Sequence, residues 1–245
     1  MPLFFLQAEN IRGDRATFKE EEARHIRRVL RLKRGDSIAG FDDGGNRYHL
    51  TIVDETVKSV ICRIDRMEPL SRERPVAVHL GVGIPKGDRF DYILQKTTEL
   101  GVSGIVPFLS SRTVVRVPPG KREGRLLRWR RIVTEAVKQC GSPHVPEIGE
   151  IHTFQGAIDL LSGCDLKIIL YEETFAFSLK PTLEKAQNPE SVALIVGPEG
   201  GFSRDEVTRA RGAGFIVAGL GKNILRVETA AVAALAMIQY RFQNM

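Results

Sequence analysis

Between residues 191 and 230 the chain twice passes from a short apolar run, through a glycine-bearing turn, into a helical pattern. The first passage is Ser191-Val-Ala-Leu-Ile-Val196 with Gly197-Pro-Glu-Gly-Gly-Phe-Ser203; the second turn is Leu220-Gly-Lys-Asn-Ile-Leu-Arg-Val-Glu-Thr-Ala230. Such passages belong to α/β folds, in which loops at the C-terminal ends of strands carry the ligands. Gly197, Gly200 and Gly201 let the backbone turn sharply and approach a ligand closely. Ser203-Arg-Asp-Glu206 reads as a capping box that fixes where the next helix starts. A glycine-rich turn at a helix N-terminus ordinarily suggests a phosphate. Glu199 stands in the middle of this one and repels phosphate, so the turn suits a ligand with hydroxyls or an ammonium. A tight turn with no ligand at all fits the same residues.

The rest of the chain supports a two-part reading. Residues 1–70 read as a small, mostly β domain with one helix, from Glu20 to Leu32, whose apolar side is Ala23, Ile26 and Leu30. The other face carries Arg24, Arg27, Arg28 and Arg31 with His25 beside them, which points to RNA phosphates more than to an ordinary solvated surface. A hairpin is expected to turn over residues 42–46, and residues 69–75, with proline at each end, read as a linker. From 76 onward strand and helix patterns alternate, giving an α/β domain with a mainly parallel sheet over 76–245. Strands are expected at 76–82, 104–108, 166–170 and 191–196, and helices at 88–100, 121–140 and 153–161. On the long helix, Leu126, Trp129, Val133, Val137 and Cys140 are expected to face inward.

Composition narrows the function classes. With 36 Lys+Arg against 30 Asp+Glu the net charge is +6, and the isoelectric point is near 9.4, which favours a polyanionic partner. Cys62, Cys140 and Cys164 are too few and too scattered for a disulfide framework or a metal site, so a reducing cytoplasm and no metal are expected. Met1-Pro-Leu-Phe-Phe-Leu6 carries no basic residue ahead of its apolar run, and Glu9 soon interrupts it, so no signal peptide is expected. The uncharged stretch from Thr229 to Tyr240 falls short of the roughly 20 residues that span a bilayer, so a soluble protein with no membrane partner is expected. Gly81-x-Gly83 is followed by Lys86 instead of a third glycine, and this incomplete fingerprint disfavours a nucleotide-dependent oxidoreductase.

The pair of signature turns closely resembles the ribosomal small-subunit (16S) RNA uridine-N3 methyltransferase family of the SPOUT superfamily. The pattern His-x-x-Arg-Val-Leu-Arg-x-x-x-Gly-Asp, from His25 to Asp36, resembles the family's PUA-like RNA-binding domain. The resemblance implies a C-terminal trefoil-knotted SPOUT domain and an N-terminal PUA-like β-barrel. It also implies S-adenosyl-L-methionine as cofactor and N3 of a uridine in ribosomal RNA or the assembled small subunit as acceptor. Carried onto this sequence, it places Leu170, Glu172, Gly197, Glu199, Gly200, Leu220, Gly221, Ile224, Leu225 and Thr229 around the cofactor. Arg226 becomes the group that stabilises a developing uridine anion, with Glu199 and Glu228 as the available carboxylates. A surface salt bridge between Arg226 and Glu228 is the plainer alternative. Lys86, Lys96 and Glu99 also match family positions, whereas Ser142 and His144 stand where relatives commonly carry basic residues. A homodimer is implied too, and Val227, Ala231, Ala234, Leu235, Ile238 and Phe242 give the last helix one packing face with alanines spread beyond it. The competing reading is an RNA-binding protein with a non-catalytic or differently targeted SPOUT domain.

Overall fold

The computed structural model describes residues 3–42, 45–69, 76–142, 144–172 and 178–242. The expected linker, apart from Pro69, and residues 43 and 44 of the expected hairpin turn lie outside these. The chain divides into two compact units, Met1–Glu73 with Val137–Val145, and Arg74–Ala136 with Pro146–Met245.

In the first unit, strands β1 (Leu3–Phe5), β2 (Ile11–Arg12), β3 (Arg15–Lys19), β4 (Ser37–Phe41), β5 (Asn46–Glu55) and β6 (Ser59–Pro69) form one sheet. Its order is β1-β4-β5-β6-β3-β2, antiparallel except where β1 joins β4. Alternation along β5 buries Tyr48, Leu50 and Ile52 on one face, and these meet Phe4, Phe18, Ile26 and Ile38 in the core. Beside the β4–β5 turn, the Asp42 carboxylate accepts from Asn46 N at 2.9 Å and from the Tyr48 hydroxyl at 2.6 Å.

The single helix expected over 20–32 does not form as such. Helix α1 (Glu20–Arg24) passes into a π-helical turn, His25–Val29, and the run ends at Arg31 with φ +55°. Ala23 and Ile26 are buried as expected. Arg27 leaves the basic face: its Nε donates to Glu55 at 2.7 Å and its Nη1 to the Thr56 carbonyl at 2.6 Å. Arg24, Arg28 and Arg31 remain exposed. At the far end of this unit's sequence, Lys138 pairs with Glu22, and Ser142 Oγ closes a small local turn on the His144 carbonyl at 3.0 Å.

The second unit holds a fully parallel sheet of β7 (Ala77–Gly83), β8 (Gly104–Leu109), β9 (Glu147–Ile148), β10 (His152–Thr153), β11 (Leu166–Leu170), β12 (Ser191–Val196) and β13 (Ile216–Ala218). The order is β10-β8-β7-β12-β11-β13, with β9 beside β8. The central strands are near-continuous apolar runs, as a sheet covered on both faces requires. Helices α2 (Arg89–Glu99), α5 (Leu179–Lys185) and α7 (Val227–Arg241) pack together on one face, and α4 (Phe154–Leu161) with α6 (Arg204–Gly212) on the other. Thr153 caps α4, accepting from Gly156 N at 3.1 Å, and Gly101 stops α2 in the left-handed region at φ +75°. On α3 (Arg122–Cys140), Trp129, Val133 and Val137 are buried as expected, whereas Cys140 is exposed. Buried Gln239 of α7 donates to the carbonyls of Leu100 at 2.8 Å and Gly101 at 2.9 Å, locking α7 to the end of α2.

Because every strand of this sheet runs the same way, the ends at Gly83, Leu109, Leu170, Val196 and Ala218 lie along one edge. The loops that follow them therefore converge, although they are far apart in sequence.

Candidate active site

A cavity of about 280 Å³ opens at that edge, over the ends of β11, β12 and β13. Its walls are Leu170 to Glu172, Val196 to Glu199 with Gly201, and Ala218 to Val227, with Arg89 and Ala230 completing them. Among the residues assigned above to cofactor or chemistry, Leu170, Glu172, Gly197, Glu199, Leu220, Gly221, Ile224, Leu225 and Arg226 meet here. Gly200, Glu228 and Thr229 do not line it.

The glycine-rich turn is held from below by aromatics. Phe202 is fully buried against Phe154, with ring centroids 5.2 Å apart, and stacks on Phe108 at 6.2 Å. A Cβ on Gly197 would come within 3.0 Å of the Phe202 ring. Gly201 has φ +66°, and a side chain there would run into the Glu172 carboxylate. Gly200 faces differently: a Cβ there would meet the Arg112 carbonyl oxygen at 2.9 Å, so this glycine serves contact with the loop after β8.

The capping box predicted at the start of α6 forms, and Glu206 does more than cap. Its carboxylate is buried and accepts from Ser203 N at 2.9 Å, Ser111 N at 2.8 Å and Ser111 Oγ at 3.0 Å, while Ser203 Oγ accepts from Glu206 N. It thereby ties the loop after β8 to the turn after β12. Burial pushes this carboxyl upward, but the hydrogen bonds from Ser111 and Ser203 outweigh it and hold it below the usual glutamate range. A depressed carboxyl stabilises the fold above its unfolded-state pKa and loses that contribution as pH falls through the folded value. Glu206→Gln is accordingly expected to cost about 1–3 kcal/mol at neutral pH. It should also flatten the loss of stability on acidification below about pH 4.3. Denaturant titrations at pH 7 and at about pH 3 check this; parallel pH profiles for variant and wild type would contradict it.

Arg226 sits at the N-cap of α7, lines the cavity and makes no capping hydrogen bond. A cation at a helix N-terminus opposes the helix dipole, so this position does not serve the helix. Glu228, in the first turn of α7, is half-buried, and its Oε2 has no hydrogen-bond partner among the described residues. No Arg226–Glu228 ion pair forms among the described residues, which removes the salt-bridge alternative. Glu199 is engaged by two donors, Lys86 N at 2.9 Å and Arg89 Nη1 at 2.7 Å. Nothing local in the sequence marks Arg89, the first residue of a helix, as the partner of a glutamate more than a hundred positions away.

The family model for an RNA methyltransferase domain matches residues 72–239, and that for an RNA methyltransferase PUA domain matches 18–65. The ribosomal RNA small subunit methyltransferase E of Bacillus subtilis is 33% identical over 228 residues, covering 90% of this chain and 88% of that protein. The chain belongs to this methyltransferase family. Its fold is shared by the small subunit methyltransferase E of Neisseria gonorrhoeae bound to S-adenosyl methionine, at TM-score 0.86 and 33% identity over 98% of this chain and 97% of that one. A methyltransferase from Legionella pneumophila, in complex with the cofactor SAM, matches at TM-score 0.86 and 31% identity, with the same coverage. The cavity lies at the C-terminal edge of the parallel sheet, where α/β folds in general bind their ligands. No helix among the described residues is long and apolar enough to cross a membrane.

Proposed function

We propose that this chain transfers a methyl group from S-adenosylmethionine to N3 of a uridine in small-subunit ribosomal RNA. The observation that carries the reading is the convergence of the two signature turns and Arg226 on one cavity, in a member of an RNA methyltransferase family. The cavity suits such a cofactor: Leu170, Leu220 and Leu225 offer apolar walls, while the carboxylates of Glu172 and Glu199 offer acceptors for its hydroxyl and ammonium groups. The bound cofactor supplies an electrophilic methyl group on a sulfonium sulfur, which keeps the electron pair of the broken C–S bond. The acceptor is an imide nitrogen that must lose its proton to attack. In this reading Arg226, which lines the cavity, holds the negative charge that develops on the uridine carbonyls. Of the two carboxylates put forward for proton removal, Glu199 lines the cavity and Glu228 does not. The test is incubation with methyl-labelled cofactor and small-subunit ribosomal RNA, free or assembled, followed by digestion to nucleosides. Label should elute as N3-methyluridine. Label in another nucleoside would refute the target, and no uptake of cofactor by calorimetry would refute the reading as a whole.

RNA is held, in this reading, by the exposed arginines of the N-terminal unit, Arg24, Arg28 and Arg31 with His25 beside them, and not by Arg27, which is committed to Glu55. Replacing Arg24, Arg28 and Arg31 by alanine should weaken RNA binding and reduce the slope of log affinity against log salt by about 2–3. Binding isotherms at several salt concentrations measure this, and an unaltered slope counts against the assignment. The same variant should bind the cofactor normally.

The protein works as a homodimer in this proposal, in a reducing cytoplasm where its three cysteines stay free. Beyond its buried face, α7 leaves Met237 and Tyr240 exposed at 48% and 81%, with the small Ala230 and Ala233 on neighbouring turns. Sedimentation equilibrium should give twice the 27.3 kDa chain mass, and a monomer unchanged by cofactor would reject the dimer.

A further inference from the structure

The end of β7 and the glycine-rich turn lie backbone against backbone. A Cβ on Gly83 would stand 2.5 Å from Pro198 Cδ and 2.6 Å from Pro198 N, so only glycine fits there. Glu199 reaches across this seam. Its Oε1 accepts from the backbone N–H of Lys86 at 2.9 Å and from Arg89 Nη1 at 2.7 Å; Oε2 takes neither bond. Arg89 and Glu199 both line the cavity, with side-chain exposures of 42% and 28%.

An exposed ion pair alone contributes little. This one differs because a fixed backbone donor and a guanidinium converge on one oxygen. Together they set the rotation of the carboxylate, and the second oxygen is left as an oriented acceptor at the cavity wall. A carboxylate so committed to two donors is poorly suited to removing a proton and well suited to receiving a hydrogen bond from a ligand.

We propose that Arg89 is a positioning residue: with the Lys86 N–H it fixes Glu199 so that Oε2 accepts an N–H or O–H donor of the bound cofactor. The inference rests on the S-adenosylmethionine reading of the cavity. It assigns Glu199 to cofactor binding and not to proton removal.

The test uses the full chain, S-adenosylmethionine titrated by calorimetry, and steady-state methylation. Arg89→Gln should weaken cofactor binding on the order of tenfold. It should raise KM for the cofactor by a similar factor, with kcat at saturating cofactor within about twofold of wild type. Arg89→Lys, which keeps a donor, should recover part of the loss. Glu199→Gln should show the same phenotype, and the double variant Arg89→Gln/Glu199→Gln should be no worse than either single change. Additive losses would mean that Arg89 touches the ligand directly, and would overturn the proposal. So would a fall in kcat with cofactor affinity unchanged, which would put Glu199 on the acceptor side. Cofactor binding by the wild type with Arg89→Gln indistinguishable from it overturns this inference alone. A wild type that takes up no cofactor overturns the cavity reading and this proposal together.

Discussion

Arg226→Lys is expected to lower kcat about 100-fold while the melting temperature stays within about 2 °C of wild type. Lysine keeps the charge but loses the planar fork with which a guanidinium grips two oxygens or a flat anion. If Arg226 stabilises the developing uridine anion, the loss falls on the transition state and leaves cofactor affinity nearly intact. Folding should be indifferent, because Arg226 caps nothing and lies against the helix dipole. Single-turnover methylation with saturating cofactor and RNA reads the rate, and a thermal melt reads the stability. Equal rates would remove Arg226 from the chemistry. A large drop in melting temperature would make it a structural residue.

Phe202→Ala is expected to have the largest effect on stability, about 3–5 kcal/mol, or on the order of 10 °C in melting temperature for a chain of this size. The ring is fully buried between Phe108 and Phe154, and it forms the floor beneath Gly197. Removing it leaves a cavity that the parallel sheet cannot close, since β8 and β12 are fixed by their neighbours on both sides. The glycine-rich turn loses its support, so cofactor binding should weaken along with stability. Phe202→Leu, which refills part of the volume, should restore a good share of both. An alanine variant that melts with the wild type would show that the aromatic cluster does not carry the turn.

Much of this architecture is legible in the linear sequence, because the patterns involved act within a few residues. The apolar runs at 166–170 and 191–196 are strands with the expected bounds, and the helix starts at Ser203 through the capping box that its spacing announces. Gly101 stops α2 by the left-handed conformation that glycine adopts freely. The N-terminal helix was only partly legible. Ala23, Ile26 and Leu30 are spaced three and four apart, and over one turn that spacing fits a π turn as well as an α-helix. Its basic face could not be sorted by pattern either, since Arg27 is withdrawn by Glu55, a residue 28 positions away on another strand.

What the amino-acid order determined alone was the set of local devices: which segments are strands, where helices begin and stop, which turns are glycine-rich, and the family to which the signature turns point. Tertiary structure decided which of these devices meet. Gly200 and Gly201 are adjacent in sequence, yet one faces the loop after β8 and the other Glu172. Glu206 serves its own helix start as the pattern requires, and also Ser111, 95 positions earlier. Glu199 finds Arg89 across 110 positions. Such pairings follow from the order β8-β7-β12-β11-β13 in a parallel sheet, which brings the strand ends to one edge whatever their separation along the chain. Local periodicity reflects contacts within a turn or two of backbone, so it cannot encode that order; the packing of the whole sheet fixes it.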